Sequence, residues 1–252
     1  GGRVMDDSVP KYLNTSESPV FNKSNILFGL NLTKKLRPLT EIIIVEGYMD
    51  VITLYQYGYK NAVASLGTAL TPEQAGLIRR YAGSAIIAYD GDTAGQRATL
   101  RAIDVLTKAG CDIKVAKFPP GMDPDDILIE HGNDYFDKLL EKSVAAIEFK
   151  LDILQEDYDL TTQEGKIEYV TEAAKILSNI ENILERDVYV NRLQDLTGFR
   201  SELIYKQIDM INAKNQRKSV KRGIVGNNRH ISVNISNKPK PSYIKAERDL
   251  IN

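Results

Sequence analysis

Ala85-Ile-Ile-Ala-Tyr-Asp-Gly-Asp92 is the stretch whose reading decides the fold. A short apolar run ends in two aspartates with one glycine between them. Such a run reads as a buried parallel strand, and open α/β sheets hold ligands just past the carboxyl ends of their strands. Side chains at i and i+2 of a strand share a face. Asp90 and Asp92 therefore point together if extended geometry persists through Gly91. Two carboxylates so placed repel unless a cation lies between them or one takes up a proton. The simplest reading is a site for a hard divalent ion, Mg²⁺ or Mn²⁺. A solvated Asp-Gly turn is the competing reading.

The flanking chain repeats the pattern. Glu41-Ile-Ile-Ile-Val-Glu46 reads as a strand ending in an acid. A helix over 48–57 follows, with Asp50 in its first turn and Gly58 past its end. Ala62–Ser65 is a short strand. Thr71-Pro72-Glu73 opens a helix to about Ala82, with Thr71 as N-cap and Pro72 at the first helical position. The strand Ala85–Tyr89 comes next, then a helix over 93–109 with Ala94, Ala98, Ala102 and Val105-Leu106 on one side. Ile113–Phe118 is the last strand, stopped by Pro119-Pro120. Repeated βα units mean a mostly parallel sheet with helices on both faces. All carboxyl ends of a parallel sheet lie on one side, so Glu46, the Asp90 and Asp92 pair, and the acids of Asp123-Pro-Asp125-Asp converge on a single rim. A turn reading must then hold independently at each of them.

Charge is segregated. The net charge of −1 is made of +3 over residues 1–40, −4 over 41–132, −8 over 133–213 and +8 over 214–252. An acidic middle between basic ends suits a centre that needs cations and touches polyanions. Residues 1–40 read as the trailing edge of a basic subdomain whose beginning is absent. In them Arg3, Lys11 and Lys23 sit among Tyr12, Asn14 and Phe21, a mixture that suits phosphate and base contacts and equally a solvated loop. Residues 41–132 are the α/β domain. Residues 133–213 carry helical periodicity over 165–180, 186–196 and 201–211, broken at Gly198, and read as a small bundle. Residues 214–243 read as a basic linker and 244–252 as the start of a further, truncated domain. A single cysteine, Cys111, excludes an internal disulfide and a Cys-cluster zinc site. No run has membrane-spanning length, and no signal peptide opens the chain, so a cytoplasmic setting is expected. His131, just before Gly132, reads as a helix C-terminal residue.

Ile44-Val-Glu46-Gly-Tyr-Met-Asp50-Val, Tyr89-Asp90-Gly-Asp92-Thr-Ala-Gly95 and Gly121-Met-Asp123-Pro-Asp125-Asp together resemble the TOPRIM domain of DnaG-type bacterial primases. Arg3-Val ahead of Pro10-Lys11-Tyr-Leu-Asn14-Thr, then Phe21-Asn-Lys23, resembles the basic motif that precedes TOPRIM in that family's RNA polymerase core. The resemblance implies template-directed synthesis of short RNA primers on single-stranded DNA from NTPs, at a replication fork in the bacterial cytoplasm. It implies Glu46, Asp90 and Asp92 as catalytic metal ligands, with Glu46 open to a general-base role instead. Asp123 and Asp125 would complete a second metal position, and Asp50 would be a supporting or metal-binding group. Arg3, Lys11, Asn14 and Lys23 would hold NTP or nucleic acid. A replicative helicase would be contacted through a C-terminal domain beyond Tyr243, and the family's zinc-binding domain lies outside this chain. Polyphosphorylated nucleotides are candidate inhibitors. Two other readings stay open: a TOPRIM unit that binds metal, nucleotide or nucleic acid without synthesis, and the Asp-x-Asp-x-Thr loop of haloacid-dehalogenase-type phosphatases, matched by Asp90-Gly-Asp92-Thr93.

Overall fold

The computed structural model describes residues 2–3, 12–13, 18, 21–65 and 69–226. Two short strands, β1 (Gly2–Arg3) and β2 (Tyr12–Leu13), pair antiparallel with Arg3 opposite Tyr12. A 3-10 turn over Lys23–Asn25 and the helix α1 (Leu30–Thr33) follow.

The central unit runs β3 (Glu41–Val45), α2 (Tyr48–Gln56), β4 (Ala62–Ala64), α3 (Pro72–Tyr81), β5 (Ser84–Ile87), α4 (Thr93–Lys108), β6 (Asp112–Val115), α5 (Pro124–His131), α6 (Asn133–Glu141) and β7 (Val144–Ala145). The five strands lie in the order β4-β3-β5-β6-β7. β3, β4, β5 and β6 are parallel, and β7 closes the edge antiparallel to β6. β3, β4 and β5 are rich in Ile, Val and Ala because both faces are covered, whereas β6 alternates and exposes Asp112 and Lys114. Ile42, Ile44, Ala85, Ile87 and Tyr89 pack toward α3 and α4. Ile43, Val45, Ile86 and Ala88 pack toward α2, α5 and α6. Full burial of each large aliphatic side chain contributes about 1.5–3 kcal/mol, so this alternation fixes the register firmly.

The last four helices among the described residues, α7 (Ala146–Glu156), α8 (Gln163–Leu177), α9 (Ile183–Thr197) and α10 (Ser201–Gly226), form a bundle. Leu151, Tyr169, Ala173, Leu177, Val190, Leu193, Ile204 and Ile208 fill its core. Thr162 caps α8 by accepting from the Gly165 N–H at 3.0 Å, and Gly198 ends α9 at φ +79°. α7 serves both units: Phe149 enters the sheet core while Leu151 enters the bundle core. An ionic chain runs across this junction. Lys117, just past β6, and Arg192 of α9 both pair with Asp152 of α7, and Glu148 lies 3.6 Å from Arg192.

Several boundaries differ from the sequence reading. β5 ends at Ile87 and β6 at Val115, although the Ala88 N–H still donates to the Ile44 carbonyl at 2.8 Å. Ala94 is exposed, because the buried stripe of α4 falls on Gly95, Thr99, Ala102, Ile103 and Leu106. α6 and β7 lie beyond residue 132 yet belong to the sheet, with Phe136 fully buried. Residues 22–39 are attached to the α/β unit rather than loose. Phe28 exchanges both backbone hydrogen bonds with Ala64, and buried Gln74 donates to the carbonyls of Lys23 and Ile26 at 3.0 and 2.8 Å. α10 continues to Gly226, into the stretch read as linker. Lys, Arg and Gln are good helix formers there and no proline intervenes. Among the described residues no helix is long and apolar enough to cross a membrane.

Candidate functional site

Strand alternation decides where each acid stands. Glu46 continues the parity of Ile42 and Ile44, so it belongs to the α3/α4 side of the rim. It lines a cavity there with Leu70, Ala98 and Arg101. Asp90 continues the parity of Ile86 and Ala88 on the α2/α5 side. The two meet at the rim, where the Asp90 backbone N–H opposes the rise of the Glu46 pKa. Glu46 Oε1 is buried and has no hydrogen-bond partner.

Three of the acids also end loops. Asp92 Oδ1 caps α4 by accepting from the Gly95 N–H at 2.7 Å. Asp123 Oδ1 caps α5 by accepting from the Asp126 N–H at 2.7 Å. Asp50 Oδ2 accepts from the Gly47 N–H at 2.8 Å and so fixes the turn between β3 and α2. Each bond uses one carboxylate oxygen and leaves the other for a ligand. Gly91 bridges two of the loops. Its N–H donates to the Met122 carbonyl at 3.1 Å, and a Cβ there would collide with the Pro119 carbonyl oxygen. The Asp90-Gly-Asp92 and Asp123–Asp126 segments are thereby pressed together.

The electrostatics record that crowding. Burial, then the charges of Glu46, Asp50, Asp123 and Asp92, push the Asp90 carboxyl up to about 7. Burial, reinforced by Asp123, Asp125 and Glu46 and opposed by the Gly47 N–H, pushes Asp50 up to about 6. Glu46 is raised by burial and by Asp92, against the Asp90 N–H and Arg101. Asp123 is raised by burial, then by Asp126 and Asp125, against the N–H groups of Asp126 and Asp125. Like charges held together in a half-buried place raise one another in this way when no cation neutralises them.

Two orphaned atoms test whether a metal fits. Glu46 Oε1 and Asp125 Oδ1 are buried without partners, and such groups are costly unless a ligand satisfies them. An all-carboxylate donor set suits Mg²⁺ or Mn²⁺. Among the described residues no three Asp, Glu, His or Cys side chains stand together as a ready metal cage. An ion held at this rim would take water and substrate phosphate as its further ligands, as Mg²⁺ does where the protein supplies few carboxylates.

The charges of Glu46, Asp50, Asp90, Asp92, Asp123 and Asp125 reach one another along the rim, without any three of these side chains closing on one point. The basic residues are less complete. Arg3 lies in β1, opposite Tyr12. Lys11 and Asn14 lie outside the described residues. Lys23 sits on the 3-10 turn held against the start of α3 by Gln74. Sequence reasoning misses Arg101, whose charge reaches Glu46. It also misses the capping roles of Asp92 and Asp123, although Asp123-Pro124 is a recognisable helix start.

A parallel sheet that gathers acids from separate strand ends on one rim defines a Toprim-like unit, and the sequence model of the Toprim-like family matches residues 43–128. Two further families match: the N-terminal domain of the DNA primase catalytic core over residues 1–34, and the DnaB-helicase binding domain of primase over residues 147–202. The chain is 42% identical over its whole length to a DNA primase of Clostridium acetobutylicum and covers 41% of it. A crystal structure of a DNA primase domain from Pseudomonas aeruginosa superposes with TM-score 0.68 at 38% identity, over 82% of this chain and 66% of that one. The RNA polymerase domain of Mycobacterium tuberculosis primase DnaG, in complex with a double-stranded DNA oligomer with a 6-nucleotide overhang, superposes with TM-score 0.63 at 31% identity, over 78% and 64% of the two chains. The chain belongs to the DnaG-type bacterial DNA primase family and matches about two thirds of a solved DnaG catalytic core. It spans less than half the length of these curated relatives. The helicase-binding match falls on α7, α8 and α9, upstream of the position beyond Tyr243 where the sequence reading places the helicase contact.

Proposed function

We propose that this chain carries the catalytic rim of an enzyme that makes short RNA primers on single-stranded DNA. The observation that supports this best is the rim itself: crowded carboxylates, two of them with orphaned buried oxygens on Glu46 and Asp125, and raised pKa values at Glu46, Asp50, Asp90 and Asp123. In the reaction a primer 3′-hydroxyl attacks the α-phosphate of an incoming NTP. One P–O bond forms, the bond to pyrophosphate breaks, and the hydroxyl proton passes to a base. Bound Mg²⁺ or Mn²⁺ supplies neutralisation of phosphate charge and a lowered hydroxyl pKa. Glu46, Asp90 and Asp92 would hold one ion, and Asp123 and Asp125 the other. Asp50 braces the Gly47 turn that carries Glu46 to the rim. Glu46 is the ligand or the base. Arg3, Lys11, Asn14 and Lys23 would hold the triphosphate or the template backbone.

The helicase-binding match over residues 147–202 supports a helicase contact on the bundle, in addition to the C-terminal domain expected beyond Tyr243. Polyphosphorylated nucleotides would compete with NTP at the same rim, and a displacement titration showing no competition rejects that part. Synthesis is tested by a Mg²⁺-dependent primer assay on single-stranded template. Primers from the wild type and none from Asp90→Ala support the reading. Hydrolysis of simple phosphate esters without primer synthesis would favour the phosphatase reading instead.

A further inference from the structure

The rim is strongly acidic, yet the substrate it would receive is a polyanion. Divalent ions meet part of that conflict. A basic side chain standing beside the acids without being consumed by them would meet the rest. The cations at the junction with the bundle are engaged: Lys117 and Arg192 pair with Asp152, and Lys150 pairs with Asp104. Arg101 of α4 is different. It is exposed and makes no ion pair within 4 Å among the described residues. Its charge nevertheless reaches both Glu46 and the buried hydroxyl of Tyr89.

A cavity explains what that arrangement is for. It measures about 340 Å³ and is lined by Glu46, Ser65, Leu70, Tyr89, Ala98 and Arg101. It lies on the α3/α4 side of the rim, which the parity of Ile42 and Ile44 assigns to Glu46. Its volume falls at the small end of small-molecule sites. Glu46, Ser65 and Tyr89 line it together with Arg101, whose fork of N–H donors matches phosphate oxygens.

We propose that Arg101 is a phosphate-binding residue, its guanidinium receiving the triphosphate of the incoming nucleotide at the cavity beside Glu46. This rests on the nucleotidyl-transfer reading, so the test measures binding apart from synthesis. A fluorescent ATP analogue is titrated into the full chain with Mg²⁺ present, for the wild type, Arg101→Ala and Arg101→Lys. Loss of a charged hydrogen bond to phosphate should weaken binding by roughly 10- to 100-fold in Arg101→Ala. Arg101→Lys should fall between, because a lysine keeps the charge and loses the fork. Affinities for Mn²⁺ alone and for single-stranded DNA alone should stay within about twofold of wild type. Nucleotide affinity within twofold of wild type in both variants overturns the proposal. So does a loss of single-strand affinity with nucleotide affinity kept, which would make Arg101 a template contact. A wild type that binds the analogue but makes no primer would sink the polymerase reading and leave the Arg101 comparison interpretable.

Discussion

Two aspartates of this chain have opposite fates. Asp90, on the rim, is pushed up to about 7 by burial and by four neighbouring carboxylates. Asp152, at the junction of sheet and bundle, is also penalised by burial, but Lys117 and Arg192 outweigh that and hold it below the ordinary 3.8. Both are partly buried, so burial alone does not separate them. The neighbours do. The junction supplies its own cations and behaves as a clamp. The rim assembles anions and leaves the cation to come from solution, which is the mark of a binding site rather than a structural joint.

The largest effect expected from breaking this contrast is on the rim. Asp90→Ala should reduce metal-dependent synthesis on the order of a thousandfold, the several kcal/mol that a metal ion contributes to phosphoryl chemistry. The metal-free variant should melt no lower than wild type, because a repelling charge is gone. The sign with pH follows. The folded pKa of Asp90 lies above its ordinary value, so its stabilisation is complete below about pH 4 and lost as pH rises through about 7. The melting temperature of metal-free wild type should therefore fall over that range and be restored by added Mg²⁺, whereas Asp90→Ala should show a smaller fall and no rescue.

Gly91→Ala comes next. Its Cβ meets the Pro119 backbone, which cannot swing aside as a side chain would. A cost of about 2–3 kcal/mol in thermal unfolding is expected, with weaker metal binding as the two acidic loops part. The clamp should respond more mildly. Asp152→Asn should cost about 1 kcal/mol, discounted because the partners are partly exposed, with Mn²⁺ affinity unchanged. Its depressed pKa acts on the other flank: the stabilisation is present above the ordinary 3.8 and lost as pH falls through the folded value. A wild-type and Asp152→Asn pair of melting curves should then converge only in strong acid. The smallest effect separates capping from ligation at Asp92. Asparagine keeps an N-cap acceptor and alanine does not. Asp92→Ala should be about 1 kcal/mol less stable than Asp92→Asn, while both lose metal-dependent synthesis.

The same contrast shows what residues alone reveal. Ile42–Val45 and Ala85–Ile87 are unbroken apolar runs, and their chemistry is enough to name them as buried parallel strands. The rim follows, because parallel topology forces strand ends onto one side. β7 leaves no such trace: Val144-Ala145 is too short to show periodicity. The clamp is invisible in the sequence for another reason, since Lys117, Asp152 and Arg192 come from separate elements and share no local pattern. Arg101 is hidden the same way. It faces Glu46 only because α4 packs back across the sheet. The attachment of residues 22–39 escapes a sequence reading because short apolar pieces such as Leu27 and Leu30 look like loop until Gln74 is seen to hold them.

One measurement tests the rim most directly: titration of Mn²⁺ into metal-free protein near pH 8, followed by the electron paramagnetic resonance of the free ion. Saturable binding in wild type and in Asp152→Asn, lost in Asp90→Ala, is the result predicted here. Binding that survives Asp90→Ala unchanged, or that disappears with Asp152→Asn instead, would contradict it.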